Sequence, residues 1–147
     1  MQIFYELTAT LAACLFTGAA LYIIFVEHPA RLECGPPLAV TEFVHSYKRA
    51  AVMQPALAFL GFGAGVMAWN SGASLWWLIG GAAMGSLFPL TIIWMLPINR
   101  QLHDPGLEQD AHRAMALLTL WGRRHRLRCL IGLLSFILFL VLLLKKD

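Results

Sequence analysis

The chain has 147 residues, of which 59% are hydrophobic and 13% charged, with a mean hydropathy of +0.69 and a formal net charge of +3. A soluble domain carries about 25% charged residues, so this composition excludes an ordinary soluble protein and predicts a membrane protein of one small domain. The positive charge sits beside apolar runs, with no basic stripe interleaved with aromatics outside them, which excludes nucleic-acid binding and points to headgroup contact.

The N-terminus MQIFYELTAT has no positive n-region and no small-residue cleavage site, so the first apolar run is expected to remain as a span. Span 1 is predicted over 4–26, enough for the roughly 20 residues a bilayer needs. Glu27-His28-Pro29 should end it, because Pro cannot continue the backbone ladder and biases His28 away from helix. Residues 30–38, with Gly35-Pro36-Pro37, read as a turn or re-entrant loop, and Thr41 as the cap of a helix that starts at Glu42. Span 2 follows over 50–69, with a kink expected at Pro55. Gly61-x3-Gly65 there and Gly81-x3-Gly85 in the next span have the spacing that lets helices approach closely.

Asn70-Ser71-Gly72 makes a tight turn. Span 3 covers 75–96, with Trp76, Trp77 and Trp94 as interfacial aromatics, a kink at Pro89 and an end at Pro97-Ile98-Asn99. Residues 100–110 form a polar loop. Residues 108–144 then read as one long helix of roughly 55 Å, whose first third projects beyond the hydrocarbon core. The expected fold is all-α: an integral membrane up-and-down four-helix bundle, 1–147 forming a single four-span domain.

Four spans put both termini and the Asn70 turn on one side. The other side holds Arg31, Lys48, Arg49, Arg100, Arg113, Arg123, Arg124, Arg126 and Arg128, against Lys145 and Lys146 opposite. The positive-inside rule makes the two long loops cytoplasmic, in a bacterial inner membrane.

Nearly all the reactive groups collect on that side. Glu27 and His28 end span 1. Glu42, His45 and Arg49 share one helical face before span 2, and Gln54 follows. Asn99 ends span 3. Trp121, His125 and Arg128 stand at i, i+4 and i+7 where span 4 enters the bilayer. Ionisable groups converging at one level of a bundle read as a functional pocket. His28, His45, His125, Arg49 and Arg128 are the candidate catalytic residues. Trp121, Asn99, Gln54 and Trp94 are the candidate substrate contacts. His28, His45 and His125 with Glu27 would suit a single Cu or Fe ion. Glu42-x-x-His45 has the spacing of di-iron bundles, but the further acidic residues such a site needs, with only Glu33 and Glu108 nearby, are too few. No CxxCH is present, so a covalent haem is excluded, while haem b on two facing His is a weaker alternative than no cofactor or one metal ion. Cys14, Cys34 and Cys129 are widely spaced and suggest neither a disulfide framework nor a zinc site. No GxSxG or phosphate-binding loop appears.

Thr17-Gly18, Glu27-His28-Pro29-Ala30-Arg31, Tyr47-x-Arg49, Gln54-Pro55, Pro97-Ile98-Asn99 and Trp121-x3-His125-x2-Arg128, in that order, resemble the anthrone oxygenase-like family of small four-helix membrane proteins. The resemblance covers nearly the whole chain. Its matching positions are His28, Arg49, Asn99, Trp121, His125 and Arg128. It implies a four-span bundle and an oxidase role, since some fungal members oxidise anthrones to anthraquinones with dioxygen. The expected function is a membrane-embedded oxidoreductase or monooxygenase acting on an apolar aromatic or quinol-like molecule, with the bilayer as its surroundings and a homo-oligomer allowed. The alternatives are a haem- or metal-binding membrane protein and a non-catalytic scaffold or assembly subunit. A transporter is disfavoured because no span carries an ionisable residue at mid-depth.

Overall fold

The structure is a computed structural model that describes residues 1–145, the Glu108 side chain excepted; Lys146, used in the charge count above, lies outside it. Four helices account for most of it: α1 (Gln2–Glu33), α2 (Pro36–Asn70), α3 (Leu75–Leu102) and α4 (Ala111–Leu144). Each is long and apolar enough to cross a membrane. A short 3-10 turn, Pro105–Gln109, lies before α4. Among the described residues there is no strand. In the bundle α1 packs on α2 and α4, and α3 packs on the same two, so consecutive helices are neighbours and the diagonals scarcely touch. The chain is an all-α membrane bundle.

Packing explains the order. The inner face of α1 is built of Ala9, Ala12, Ala13 and Ala20, all buried, which lets α2 and α4 come close. Phe25, Val52, Phe59 and Ile93 point outward and are exposed, as a lipid-bathed surface requires. One core cluster includes Phe16, Met84 and Trp77 stacked on Phe139. A second, nearer the long loops, includes Ile23, Phe43, Met95 and Trp121.

Four predicted boundaries are corrected. Pro29 does not end α1, and Pro97 does not end α3. Each proline comes two residues after a π turn, Ile23–Glu27 in α1 and Thr91–Met95 in α3. A proline ring in a regular helix meets the carbonyl four residues back. The wider π turn carries that carbonyl away, and the helix runs on to Glu33 or Leu102. The loop after α1 therefore shrinks to a turn at Cys34 and Gly35, and Gly35 takes φ +81°, a conformation glycine adopts without strain. The helix that follows starts at Pro36, not Glu42. Thr41 is no cap: its hydroxyl donates to the Pro37 carbonyl inside the helix. Helix α4 starts at Ala111 rather than Glu108, and the Asp110 side chain caps it by accepting from Arg113 N–H at 3.0 Å.

The Asn70 turn is present, with Gly72 at φ +100° and close to Gln2, so the N-terminus and this turn share one end. The turn at Cys34 and the loop before α4 share the other.

Candidate functional site

All four helices contribute to a cavity of about 150 Å³ toward the long-loop end. From α1 come Ile23, Glu27 and Arg31; from α2, Phe43, Tyr47 and Gln54; from α3, Thr91, Met95 and Asn99; from α4, Trp121, His125 and Arg128. Ala51 also lines it and is exposed, so the cavity opens on the outer side of α2 facing α3. The two π turns lie at this level, where they tilt the wall residues Ile23 and Glu27, Thr91 and Met95 out of ordinary helical phase.

The α4 face supplies three stacked functions. The Trp121 ring lies over the His125 imidazole, with centroids 4.8 Å apart and planes 9° apart. Trp121 Nε1 donates to Asn99 Oδ1 at 2.9 Å, and Asn99 Nδ2 donates to the Tyr47 hydroxyl at 3.0 Å. An indole only donates, so the first bond fixes which way the Asn99 amide faces. His125 is fully buried, and its Nε2 stands 3.3 Å from the Ala20 carbonyl. A carbonyl only accepts, so Nε2 carries the hydrogen and Nδ1 of the neutral ring keeps a lone pair. That Nδ1 is buried with no partner.

Two arginines are buried in this site, and their surroundings differ. Arg31 is paired with Glu27 and Glu42, donates to Ser46 Oγ at 2.9 Å, and its guanidinium lies over the Phe43 and Trp121 rings. Arg128 donates to Gln54 Oε1 and to Thr91 Oγ1, each at 2.9 Å. The Thr91 hydroxyl donates back to the Leu87 carbonyl, which leaves its lone pairs for Arg128. Among the described residues no carboxylate pairs with Arg128. Arg128 Nε, Gln54 Nε2 and Arg31 Nη1 are buried without a hydrogen-bond partner.

The other sequence candidates lie elsewhere. His28 is buried beside the cavity, its imidazole packed against Gly122 and tilted against Trp121 at 5.5 Å, with Nδ1 unpartnered. His45 and Arg49 are exposed, joined only by a long bond from Arg49 to the His45 carbonyl. At about 100° per residue both lie roughly 160° around α2 from Tyr47, so they face away from the site. Trp94 is half exposed, and its main-chain carbonyl accepts from Arg124; it is a surface aromatic and not a cavity wall. Glu27 is committed to Arg31. With His45 outside and Glu27 paired, the expected metal set of His28, His45, His125 and Glu27 is not assembled, and among the described residues no three His, Cys, Asp or Glu side chains are placed to hold an ion.

Sequence reasoning missed Arg31 as a site residue, counting it as a topological charge. The signal was present: Glu27 stands one turn before it, at the i, i+4 spacing of an ion pair. Phe43, Thr91 and Met95 carried no chemical signal of their own. Arg31 and Arg128 are interior, so seven of the nine cations assigned to this side remain to report orientation.

No curated protein and no solved structure matches the chain. The family described as anthrone oxygenase matches residues 43–138, which is nearly two thirds of the chain and takes in the α2, α3 and α4 walls of the cavity. By that match the chain belongs to the anthrone oxygenase family.

Proposed function

We propose that the cavity is the active site of a cofactor-independent oxidase or monooxygenase that acts on an apolar phenolic substrate taken from the lipid. The observation that carries this reading is His125: an imidazole tethered through Nε2 to the Ala20 carbonyl, with Nδ1 buried and unpartnered, in a wall shared with Arg128. Such a group is a general base. It takes the proton from a phenolic O–H or from a C–H beside a carbonyl. Arg128 holds the oxyanion that results, a contact that strengthens as charge develops. The Trp121 ring and the Phe43 edge position the aromatic substrate. The electron-rich anion then gives its electrons to dioxygen. When a ring methylene is oxidised to a carbonyl, one methylene and one dioxygen give one carbonyl and one water. Both C–H bonds and the O–O bond break; one oxygen atom enters the product, and the other leaves as water with the two hydrogens. The family description, an oxygenase of anthrones, supports this class of reaction.

The same reading takes the chain as one domain in the cytoplasmic membrane, with the turn at Cys34 and the loop before α4 on the cytoplasmic side and substrate entering beside Ala51 between α2 and α3. The test is dioxygen consumption by protein in lipid nanodiscs, supplied with phenols and anthrones. His125→Gln should lower turnover by about 10²–10⁴-fold, the range for loss of a general base. A folded His125→Gln or Arg128→Gln protein with full turnover rejects the assignment. A Soret band or stoichiometric metal in the active protein rejects the cofactor-free chemistry.

A further inference from the structure

We infer that Tyr47 is a second point of substrate recognition: its hydroxyl donates to a carbonyl oxygen that lies across the ring system from the oxygen held by Arg128. The inference rests on the oxidase reading for its purpose and on the direction of one hydrogen-bond chain for its content.

That chain crosses three helices. Trp121 on α4 donates to Asn99 on α3, and Asn99 donates to Tyr47 on α2. The indole sets the direction at the first step, because it has a hydrogen to give and no lone pair to receive one. The Asn99 oxygen therefore faces Trp121, and its amino group faces Tyr47. A phenol carries one hydrogen and two lone pairs. One lone pair receives the amide, so the hydrogen turns away from Asn99. Among the described residues no protein atom accepts it.

Two other hydroxyls line the cavity, and both are committed to the protein. Ser46 donates to the Phe43 carbonyl and Thr91 to the Leu87 carbonyl. Tyr47 is thus the wall hydroxyl whose hydrogen is left for a ligand. Its ring is stacked on Phe43 at 5.6 Å, and His103 meets it edge-on at 5.2 Å. With the Asn99 bond, these contacts fix where the oxygen sits. A fixed donor discriminates: a ligand that displaces water from it without bringing an acceptor leaves a polar group unpaired.

Position and charge say which oxygen Tyr47 reads. Tyr47 and Gln54 are seven residues apart on one face of α2, roughly 10 Å along the helix axis. Gln54 is the partner of Arg128. A ligand that reaches both points carries its two oxygens on opposite sides of its ring system. The cation at the Tyr47 end is Arg31, bonded to the neighbouring Ser46 and already answered by Glu27 and Glu42. No charge is left there to hold an oxyanion, so the oxygen at Tyr47 is neutral, a carbonyl.

The test uses two probes with the same three fused rings and the same phenolic hydroxyl: hydroxyanthraquinone, which adds carbonyls, and hydroxyanthracene, which does not. Affinities for the full chain in nanodiscs are compared between wild type and Tyr47→Phe, so lipid partition cancels within each probe. Tyr47→Phe keeps the ring and its stacking. It should weaken hydroxyanthraquinone about fivefold to tenfold, the loss of one neutral hydrogen bond, and leave hydroxyanthracene within about twofold. Asn99→Asp tests the direction of the chain. An ionised carboxylate accepts from both neighbours, so Tyr47 turns its hydrogen onto it, and hydroxyanthraquinone should lose affinity although the tyrosine is intact. Equal losses for the two probes in folded Tyr47→Phe, or full affinity for hydroxyanthraquinone in either folded variant, overturns the inference. If neither variant folds, wild type decides. With partition into protein-free nanodiscs subtracted, hydroxyanthraquinone has to bind more tightly than hydroxyanthracene, and the absence of that preference overturns the inference too. Dioxygen consumption is read separately. Discrimination between the probes without any turnover sinks the oxidase reading and leaves Tyr47 as a recognition point, whereas turnover with equal losses for both probes does the reverse.

Discussion

Arg31 and Arg128 lie within one cavity wall and should respond oppositely to the same substitution. Arg31→Gln strands the Glu27 and Glu42 carboxylates and removes a guanidinium from the Phe43 and Trp121 faces. Breaking a fully buried ion pair costs about 3–5 kcal/mol, and the partial exposure of both carboxylates here reduces that. Arg128→Gln removes a buried cation that has no counter-charge and leaves a side chain able to donate to Thr91 or Gln54. The expected outcome is a clear fall in thermal midpoint for Arg31→Gln and no fall for Arg128→Gln in ligand-free protein, measured in the same detergent. Activity should vanish in the second despite its intact fold, the trade of stability for function expected at a site. Equal midpoints for the two variants would show that their electrostatic surroundings are not different. The contrast between these residues was only half legible in the sequence. The Trp121, His125 and Arg128 spacing gives one face of α4 by arithmetic. Nothing in the chain states that α1 continues past Pro29, and without that continuation Arg31 falls in a loop and reads as a headgroup contact.

At the scale of elements, the small-residue spacings in α2 and α3 resolve into one true close approach. A Cβ placed on Gly65 would lie 2.8 Å from the Trp77 carbonyl oxygen and 2.9 Å from the Gly81 Cα, both backbone atoms that cannot turn aside. Gly61 meets the Met84 side chain, which can adjust, and the Ala12 Cβ at an ordinary 3.7 Å; Gly85 meets only the Phe62 side chain, and Gly63 meets nothing within 4 Å. Gly65→Ala should therefore push α2 off α3 and destabilise by about 1–3 kcal/mol, the range for overpacking. Gly63→Ala, two residues away, should stabilise by about 0.5–1 kcal/mol through helix propensity alone. Thermal unfolding of the pair checks both signs, and two falls of similar size would mean that the helix contact is not centred on Gly65. The Gly-x3-Gly pattern identified the two helices that meet but not which glycine touches, because that depends on their rotational phase. Phase is also what displaced His45 and Arg49. Their mutual spacing was read correctly, yet their angle to Tyr47, Gln54 and the rest of the inner face became visible only once the neighbours of α2 were in place. The prolines misled for a related reason: the π turns that accommodate Pro29 and Pro97 leave no mark in composition.

For the whole molecule, the long-loop end is cationic even after Arg31 and Arg128 are set aside as interior. Arg100, Arg123 and Arg126 are exposed there, as are Lys48, Arg49 and Arg113. That asymmetry predicts the end that stays in the cytoplasm. The molecule carries its own reporter. Cys34 is exposed in the turn at this end, Cys14 is exposed on the apolar flank of α1, and Cys129 is buried. A maleimide reacts with the thiolate, which forms in water and not in lipid, so Cys34 is the thiol expected to label. In intact cells a membrane-impermeant maleimide should leave the chain unlabelled, and permeabilisation should expose Cys34. Ser71→Cys, in the turn shared with the N-terminal end, should label in intact cells while Cys34→Ser abolishes the internal signal. Labelling of Cys34 from outside would invert the bundle. It would place the cavity at the opposite face. The orientation thus decides from which side of the membrane water reaches the mouth of the site, while the lipid route beside Ala51 is the same either way.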